Sequence, residues 1–235
     1  MRGTGNQAYG DAHVLILWIP YNTWRDWPPQ SADQVKTTER TEAGLIPEWN
    51  AEGVIPPINE DSPAGFDRAP YEVSLGQIVS RFATSPERCD IFSGYLAHRA
   101  ELHKMGIDRG FQWLDGSFTE DIEMLEHRPP RDIDVVTFTP AGDAFFDALG
   151  DHEINLLGGD RANLKKEFKI DFYIQSLSDP AESLVAMTTY WYSMWSHRRT
   201  GQWKGFLKVD LSPDQDADAE SLLVVRRQEL EHEQI

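Results

Sequence analysis

Residues 110–125 read GFQWLDGSFTEDIEML, and this stretch decides the fold prediction. Its aromatic and aliphatic first half predicts a β-strand over Gly110–Leu114, and the Asp-Gly-Ser that follows predicts a turn. Residues Phe118–Leu125 then predict a helix or a helical turn. Backbone N–H groups and a serine hydroxyl at the start of a helix can hold phosphate oxygens. The three segments together therefore form a candidate phosphate-binding unit.

Two further predicted strands carry aspartates. Residues Ile133–Phe138 are β-branched and aromatic, and residues Phe168–Ile174 alternate between apolar and polar side chains. Side chains two positions apart in a strand point to the same side, so Asp132 and Asp134 share one side. By the same alternation Asp171 points away from the apolar layer. Carboxylates in this arrangement can hold a hard divalent cation, and we expect Mg²⁺ or Mn²⁺ at these three residues.

The order of these segments resembles the DNA polymerase β-type nucleotidyltransferase superfamily. WLDGSF at residues 113–118 and PRDIDVV at 130–136 are similar to a small bacterial branch of nucleotidyltransferase-like proteins. GVIPP at 53–57, Lys-Ile-Asp at 169–171 and Lys-Gly at 204–205 also resemble that branch. The resemblance implies an α+β fold, with a mixed nucleotidyltransferase-like sheet flanked by helices.

The same resemblance implies in-line transfer of a nucleotide, assisted by two metal ions. Asp132 and Asp134 would bridge the ions, and Asp171 would hold the ion that activates the acceptor hydroxyl. Gly116 and Ser117 would cradle the β- and γ-phosphates of a nucleoside triphosphate, with ATP the expected one. The acceptor could be an RNA, a protein or a small molecule.

One spacing departs from the superfamily pattern. Ser117 and Asp132 are separated by 14 residues, slightly more than usual. We expect the intervening helix or loop to be extended, which affects the geometry of the substrate site more than the fold.

Two classes of function stay open. The chain is a nucleotidyltransferase, or it is a catalytically silent protein of the same fold that binds a nucleotide or a partner and acts as a regulator. Relatives of the superfamily recur in toxin–antitoxin and antiphage modules. That setting implies a partner protein encoded by a neighbouring gene.

The charge of the chain limits its partners. Its 235 residues include 39 acidic and 22 basic side chains, a formal charge of −17, which excludes general coating of duplex DNA or of an anionic membrane. Residues 161–208 instead hold eight basic and four acidic side chains. The candidate contacts to the triphosphate or the acceptor in this range are Lys165, Lys166, Lys169, Arg198 and Arg199. For each of them alone an ordinary surface cation is slightly favoured, and the group carries the argument. Lys169 is predicted to share a strand face with Asp171.

Cysteine content and hydropathy exclude other classes. Cys89 is the single cysteine, so the chain has no intramolecular disulfide and no cysteine-based zinc site, and a reducing compartment is expected. The longest apolar run, Val14–Pro20, is too short to span a bilayer and lacks the basic start of a signal peptide. We therefore expect a cytoplasmic protein without a membrane partner.

The sequence divides into three parts. Residues 1–69 contain a predicted strand, Val14–Ile19, and an arm rich in Pro and Trp whose tryptophans should anchor it to a core. Residues 70–211 would form the nucleotidyltransferase-like domain that the resemblance implies. This part begins with two predicted helices, one over Tyr71–Phe82 and one capped by Ser85. Residues 212–235 are an acidic tail, interpreted as a solvated charge run with a short helix from Ser221.

Two smaller expectations concern single elements. Thr139 and Pro140 are predicted to begin a helix that ends at Gly150. His98 and His103 lie five residues apart and are expected to be surface or capping histidines rather than metal ligands.

Overall fold

The computed structural model describes residues 46–233. The predicted strand Val14–Ile19, together with Trp24 and Trp27, lies outside the described residues. Within residues 46–233, no helix combines the length and the apolar character that a membrane span requires.

A five-stranded mixed sheet forms the centre of the fold. Its strands are β1 (Tyr71–Glu72), β2 (Phe111–Asp115), β3 (Ile133–Thr139), β4 (Ile170–Ser176) and β5 (Leu207–Asp210). Their order across the sheet is β1-β5-β2-β3-β4. Strand β2 runs antiparallel to both neighbours, whereas β1 is parallel to β5 and β3 is parallel to β4. The predicted α+β class is confirmed.

Helices flank this sheet and connect its strands. They are α1 (Leu75–Phe82), α2 (Pro86–Lys104), α3 (Ile122–Glu126), α4 (Asp143–Phe146), α5 (Asp151–Ile154), α6 (Arg161–Phe168), α7 (Ala181–Trp195) and α8 (Asp216–Glu233). Two 3₁₀ turns, Ser117–Thr119 and Pro213–Gln215, and a π-helical segment, Asn155–Gly159, complete the order. The predicted helix over Phe118–Leu125 is therefore a 3₁₀ turn followed by the short α3.

Side-chain caps fix where the first two helices begin. The Ser74 hydroxyl accepts from the backbone of Gln77 and the Gln77 side chain accepts from the Ser74 backbone, so α1 begins at Leu75. The helix predicted from Tyr71 is thus too long, because Tyr71 pairs with β5 instead. The predicted start of α2 is confirmed, since Ser85 accepts from the backbone of Arg88 and Pro86 is the first helical residue.

Part of the arm packs on this domain. Trp49 donates its indole N–H to the Thr119 carbonyl at 2.8 Å, and its ring lies 6.0 Å from that of Phe82. Val54 and Ile55, which follow Trp49 by a few residues, are also buried. Trp49 therefore serves as an anchor, as expected.

A buried polar network ties α8 to the sheet. The Arg99 guanidinium is fully buried, pairs with Asp216 at 2.9 Å and donates to Gln112 at 2.7 Å. Gln112 also accepts from the Tyr95 hydroxyl and donates to Thr137. All three guanidinium nitrogens of Arg99 donate hydrogen bonds. A buried charge is tolerated in a core only when it is paired and hydrogen-bonded in this way.

The C-terminal segment differs from its prediction. Helix α8 begins at Asp216, five residues before Ser221, and it packs on α1 and α2 through the buried Ala219, Leu223 and Leu230. These apolar positions are widely spaced among acidic side chains, so the sequence pattern did not indicate a buried helix face. The segment is a packed helix rather than a solvated charge run.

The connection between α6 and β4 also corrects a prediction. Phe168 is the last residue of α6, and Lys169 caps the helix in the left-handed region, with φ of 55°. Strand β4 begins only at Ile170, so Lys169 does not share a strand face with Asp171. A Cβ at Gly94 of α2 would lie 2.2 Å from the Phe168 carbonyl oxygen, so the two backbones touch there and only glycine fits.

Two other expectations are wrong. Thr139 belongs to β3, and the following helix is the single turn α4, capped by the backbone of Gly142 rather than by a threonine. His98 is buried, bonds to the Leu156 carbonyl at 2.8 Å and packs on Phe172, and burial lowers its pKa to about 4. A histidine on the helix face that meets the sheet is a core residue here.

Candidate functional site

Strand register brings aspartates from three strands side by side. Asp115 of β2 pairs with Asp134 of β3, and Asp134 pairs with Asp171 of β4. Residues paired in register share a sheet face, and neighbouring strands lie about 4.8 Å apart. We call Asp115, Asp134 and Asp171 the carboxylate row. Asp132 lies just before β3, two residues from Asp134 and therefore on the same side.

The row and the adjacent Asp132 together contain the three aspartates that the sequence predicts as a group, Asp132, Asp134 and Asp171, and they add Asp115. The side chains of Asp132 and Asp171 remain about one quarter exposed, at 23% and 24%. Asp115 is buried. The site thus has an open side at Asp132 and Asp171 and a closed side at Asp115.

Asp134 stands at the centre of the row without a cation of its own. Burial raises the pKa of Asp134 to about 7, and repulsion from Asp115, Asp132 and Asp171 adds to this shift. Among the described residues, no basic side chain forms an ion pair with Asp134. A cation placed here would relieve this repulsion.

A buried lysine neutralises the closed side. Lys204 Nζ lies 2.9 Å from Asp115 Oδ1 and 2.8 Å from Glu120 Oε1, and all three residues are buried. Burial raises the pKa of Asp115 to about 6, although Lys204 acts in the opposite direction. Burial opposes the charge of Lys204, but its two acidic partners raise its pKa overall. Asp115 is therefore tied to a protein cation.

Sequence reasoning missed the roles of Asp115 and Lys204. Both lie within the segments that carry the resemblance, at 113–118 and 204–205, but neither received a role. The local pattern that could have pointed to them is a charged residue directly before a glycine, Asp115-Gly116 in one segment and Lys204-Gly205 in the other. The pairing of β2 with β3 and with β5, which brings them into one site, leaves no local mark in the sequence.

Helix α6 supplies cations to the open side. Lys165 Nζ lies 3.0 Å from Asp132 Oδ2 and 3.0 Å from Asp171 Oδ2. Arg161, one turn earlier on the same helix face, lies 3.7 Å from Asp171 Oδ1 and stacks on the Tyr173 ring at 3.9 Å. Partial burial opposes the charge of Lys165, but hydrogen bonds to the two aspartates raise its pKa above the usual value. Of the predicted phosphate contacts, Lys165 is the one placed among the aspartates.

The glycine of the predicted turn is required by the site. Gly116 has φ of 89°, and a Cβ at this position would lie 2.7 Å from Asp134 Oδ2. A side chain would thus be strained and would push on the central carboxylate. Ser117 begins a 3₁₀ turn of three residues rather than a long helix.

Arg198 is held by acidic neighbours. Its guanidinium lies 3.1 Å from Glu120 Oε2 and 2.8 Å from Glu126 Oε1. Because Glu120 also pairs with Lys204, Arg198 extends the buried ionic network outward from Asp115. A contact between Arg198 and a phosphate would require these pairs to open.

Aromatic side chains cover the sheet face next to the carboxylate row. Tyr173 lies two residues after Asp171 on the same face, and the Trp191 ring of α7 contacts it at 4.7 Å. Trp113, two residues before Asp115, packs on Phe206. Helix α7 therefore closes the neighbouring part of this face.

Two cavities lie away from the carboxylate row. One of about 310 Å³ and another of about 260 Å³ lie between α2 and the α5 region, and both are lined by Glu101, His152 and Leu156. The aspartates of the row line neither cavity.

The donor set fits a hard divalent cation by its chemistry. In residues 46–233, no three acidic, histidine or cysteine side chains are grouped as ligands of one metal ion. Two aspartates instead share the Lys165 ammonium, which occupies a cation position between them. Carboxylate oxygens around a position already taken by a cation are the donors that Mg²⁺ and Mn²⁺ prefer.

Comparison with known proteins gives a family. Residues 47–210 match the DUF6932 family, described as a family of unknown function. The chain belongs to this family. No curated protein and no solved structure matches it. The DUF6932 segment contains the whole carboxylate row, Lys165 and Lys204, and the resemblance to nucleotidyltransferases stays a prediction.

Proposed function

We propose that the protein is a Mg²⁺- or Mn²⁺-dependent nucleotidyltransferase that moves a nucleotide from a nucleoside triphosphate to a hydroxyl acceptor. The observation that carries this proposal is the register of three strands, which aligns Asp115, Asp134 and Asp171 beside Asp132. Aspartates gathered on one sheet face repel each other unless cations neutralise them. Such a cluster is more readily explained by a cation-dependent reaction than by stability.

The residues divide the work between them. Asp132, Asp134 and Asp171 would hold the divalent ions, because they line the open side and the centre of the row. When bound, the ions would stabilise charge on the attacking and leaving oxygens. Lys204 keeps Asp115 paired, and Gly116 leaves room for the Asp134 carboxylate. Lys165 and Arg161, which lie beside the aspartates, would meet phosphate oxygens that approach the open side.

The acceptor is a hydroxyl of an RNA, a protein or a small molecule. A partner encoded by a neighbouring gene, as in a toxin–antitoxin or antiphage module, is part of the same proposal.

The test is transfer of label from nucleoside triphosphates labelled at the α-phosphate. Wild-type protein is incubated with each triphosphate, Mg²⁺ or Mn²⁺, and either total RNA or a protein extract. We expect a labelled product that requires the metal, and its loss in Asp132→Asn and Asp171→Asn. Asp61→Asn makes the same chemical change at an exposed position away from the row and should retain activity. Equal labelling by all variants, or none by wild type in any condition, contradicts the proposal.

A silent nucleotide-binding protein is the second candidate. The ammonium of Lys165 between Asp132 and Asp171 favours it, because a permanent protein cation would replace the metal. Calorimetry separates the two candidates. Tight binding of ATP that is independent of Mg²⁺ and accompanied by no label transfer would support the silent protein.

A further inference from the structure

We propose that Lys165 is an exchangeable resident cation, which leaves Asp132 and Asp171 when a divalent ion enters and then contacts the phosphates of the nucleotide. This inference rests on the proposed function and adds to it a coupling between metal binding and nucleotide binding.

First, Lys165 is paired with the carboxylate oxygens that a metal ion would need as ligands. Its Nζ lies 3.0 Å from an oxygen of each aspartate, and the two aspartates come from different strands, Asp132 just before β3 and Asp171 within β4. The two partly exposed carboxylates are thus joined by one ammonium. A metal ion and this ammonium compete for the same two oxygens.

The second step is that Lys165 can leave without opening the core. Its side chain is 46% exposed, and α6 is held in place by other residues, the buried Leu164 and Phe168. The close backbone contact between Gly94 and Phe168 fixes the end of the helix. Only the flexible lysine stem has to turn, and it carries a strongly hydrated charge that is readily exposed.

The third step concerns the destination of the ammonium. A triphosphate bound by ions at the carboxylate row would bring negative oxygens to the open side, within the region that Lys165 already reaches. Arg161 would remain beside Asp171 and Tyr173. The lysine exchanges its carboxylate partners for a phosphate partner. The nucleotide therefore stabilises the displaced position of Lys165, which metal binding requires.

Coupling of this kind is reciprocal. If the nucleotide stabilises the displaced lysine, it must strengthen metal binding by the same factor by which metal strengthens nucleotide binding. Removal of the ammonium should therefore strengthen binding of the metal alone and weaken the coupling. A lysine that stayed on the two aspartates would contribute no coupling between metal and nucleotide, so its removal would leave the effect of the nucleotide on metal binding unchanged.

The experiment measures Mn²⁺ binding by the electron paramagnetic resonance signal of free Mn²⁺, with and without a non-hydrolysable ATP analogue. It compares wild type with Lys165→Met, which keeps most of the stem, and with Lys165→Gln. The matched control is Lys166→Met, because Lys166 is the next residue on the same helix, is exposed and carries the same charge. Thermal melts confirm that each variant is folded.

Without nucleotide, we expect Lys165→Met to bind Mn²⁺ about tenfold more tightly than wild type, which corresponds to two partly exposed ion pairs. Lys166→Met should differ from wild type by less than about twofold, since it loses only long-range repulsion of the ion. The analogue should strengthen Mn²⁺ binding more in wild type than in Lys165→Met.

The outcomes separate this inference from the proposed function. Equal Mn²⁺ affinity in wild type and both Lys165 variants overturns the exchange but leaves the metal site in place. Absence of Mn²⁺ binding in every variant overturns both. Tighter binding in the Lys165 variants without any label transfer by wild type supports the exchange and contradicts nucleotidyl transfer.

Discussion

Replacement of Asp134 by asparagine should stabilise the protein at alkaline pH. The pKa of Asp134 is raised from 3.8 to about 7 by burial and by the neighbouring aspartates. An acid whose pKa is higher in the folded state stabilises that state while protonated, and this contribution is lost as the pH rises through about 7. At pH 8 the native carboxylate is ionised and unpaired, whereas an asparagine has no charge to repel its neighbours.

The shift sets the size of the effect. The raised pKa corresponds to about 4 kcal/mol as an upper limit at pH 8, and the same linkage gives less than half of that at pH 5. For a domain of this size 4 kcal/mol is roughly 8–16 °C in melting temperature. Asp134→Asn should therefore melt well above wild type at pH 8, and the difference should shrink by more than half at pH 5.

The assay is urea unfolding and thermal melting of Asp134→Asn, Asp61→Asn and wild type at both pH values, in EDTA. The exposed Asp61 makes the control, and its variant should match wild type at both pH values. Addition of Mg²⁺ should stabilise wild type more than Asp134→Asn. An Asp134→Asn protein that is less stable than wild type at pH 8, or whose difference does not depend on pH, would refute the reasoning.

Three further predictions use the same unfolding measurements. Gly116→Ala should destabilise the protein by about 1–3 kcal/mol, because the residue has a positive φ and its Cβ would press on Asp134. Gly76→Ala in α1, whose Cβ would make only ordinary contacts with Leu222 at 3.9 Å and Ser74 at 4.0 Å, should be neutral or stabilising by up to about 1 kcal/mol. Equal effects at the two glycines would contradict the close approach. Lys204→Met should lower the free energy of unfolding by about 3–5 kcal/mol, since it leaves the buried Asp115 without its cation and leaves Glu120 with Arg198 alone. A loss below about 1 kcal/mol would show that the network is not buried as described. Between pH 8 and pH 5 the free energy of unfolding of wild type should fall by about 2 kcal/mol through His98. The pKa of His98 in the folded state, about 4, lies below the unfolded value near 6.5, so stability is lost as the pH falls. His98→Gln should abolish this loss, and an unchanged pH dependence would argue against a neutral buried histidine.

Local patterns predicted the elements that built the site. The strands around Asp115 and Asp134 and the turn at Gly116 follow from β-branched and aromatic runs that end at polar or glycine residues. The strand around Asp171 also followed from its alternation, although its first residues belong to the end of α6. Alternation is a short-range signal, and it survives in any tertiary context that buries one face.

The partners of the aspartates could not be predicted in the same way. Lys165 reaches Asp132 because α6 crosses beside β4, and Lys204 reaches Asp115 because β5 pairs with β2. Both contacts depend on which strands pair and on helix placement, which a charge count over residues 161–208 does not contain. That count identified a basic region, but the alternation of residues 168–174 assigned Lys169 to a strand face, whereas Lys169 caps α6.

The contact between Arg99 and Asp216 has a consequence for where this protein can be cut. The family segment ends at residue 210, but Asp216 and the apolar side of α8 lie beyond it. A fragment that stops at the family boundary would keep the Arg99 guanidinium in the interior and discard its carboxylate, a loss of about 3–5 kcal/mol. It would also expose the surfaces of α1 and α2 that α8 covers. The unit that folds therefore extends past the unit that defines the family, and fragments for expression should run to residue 233.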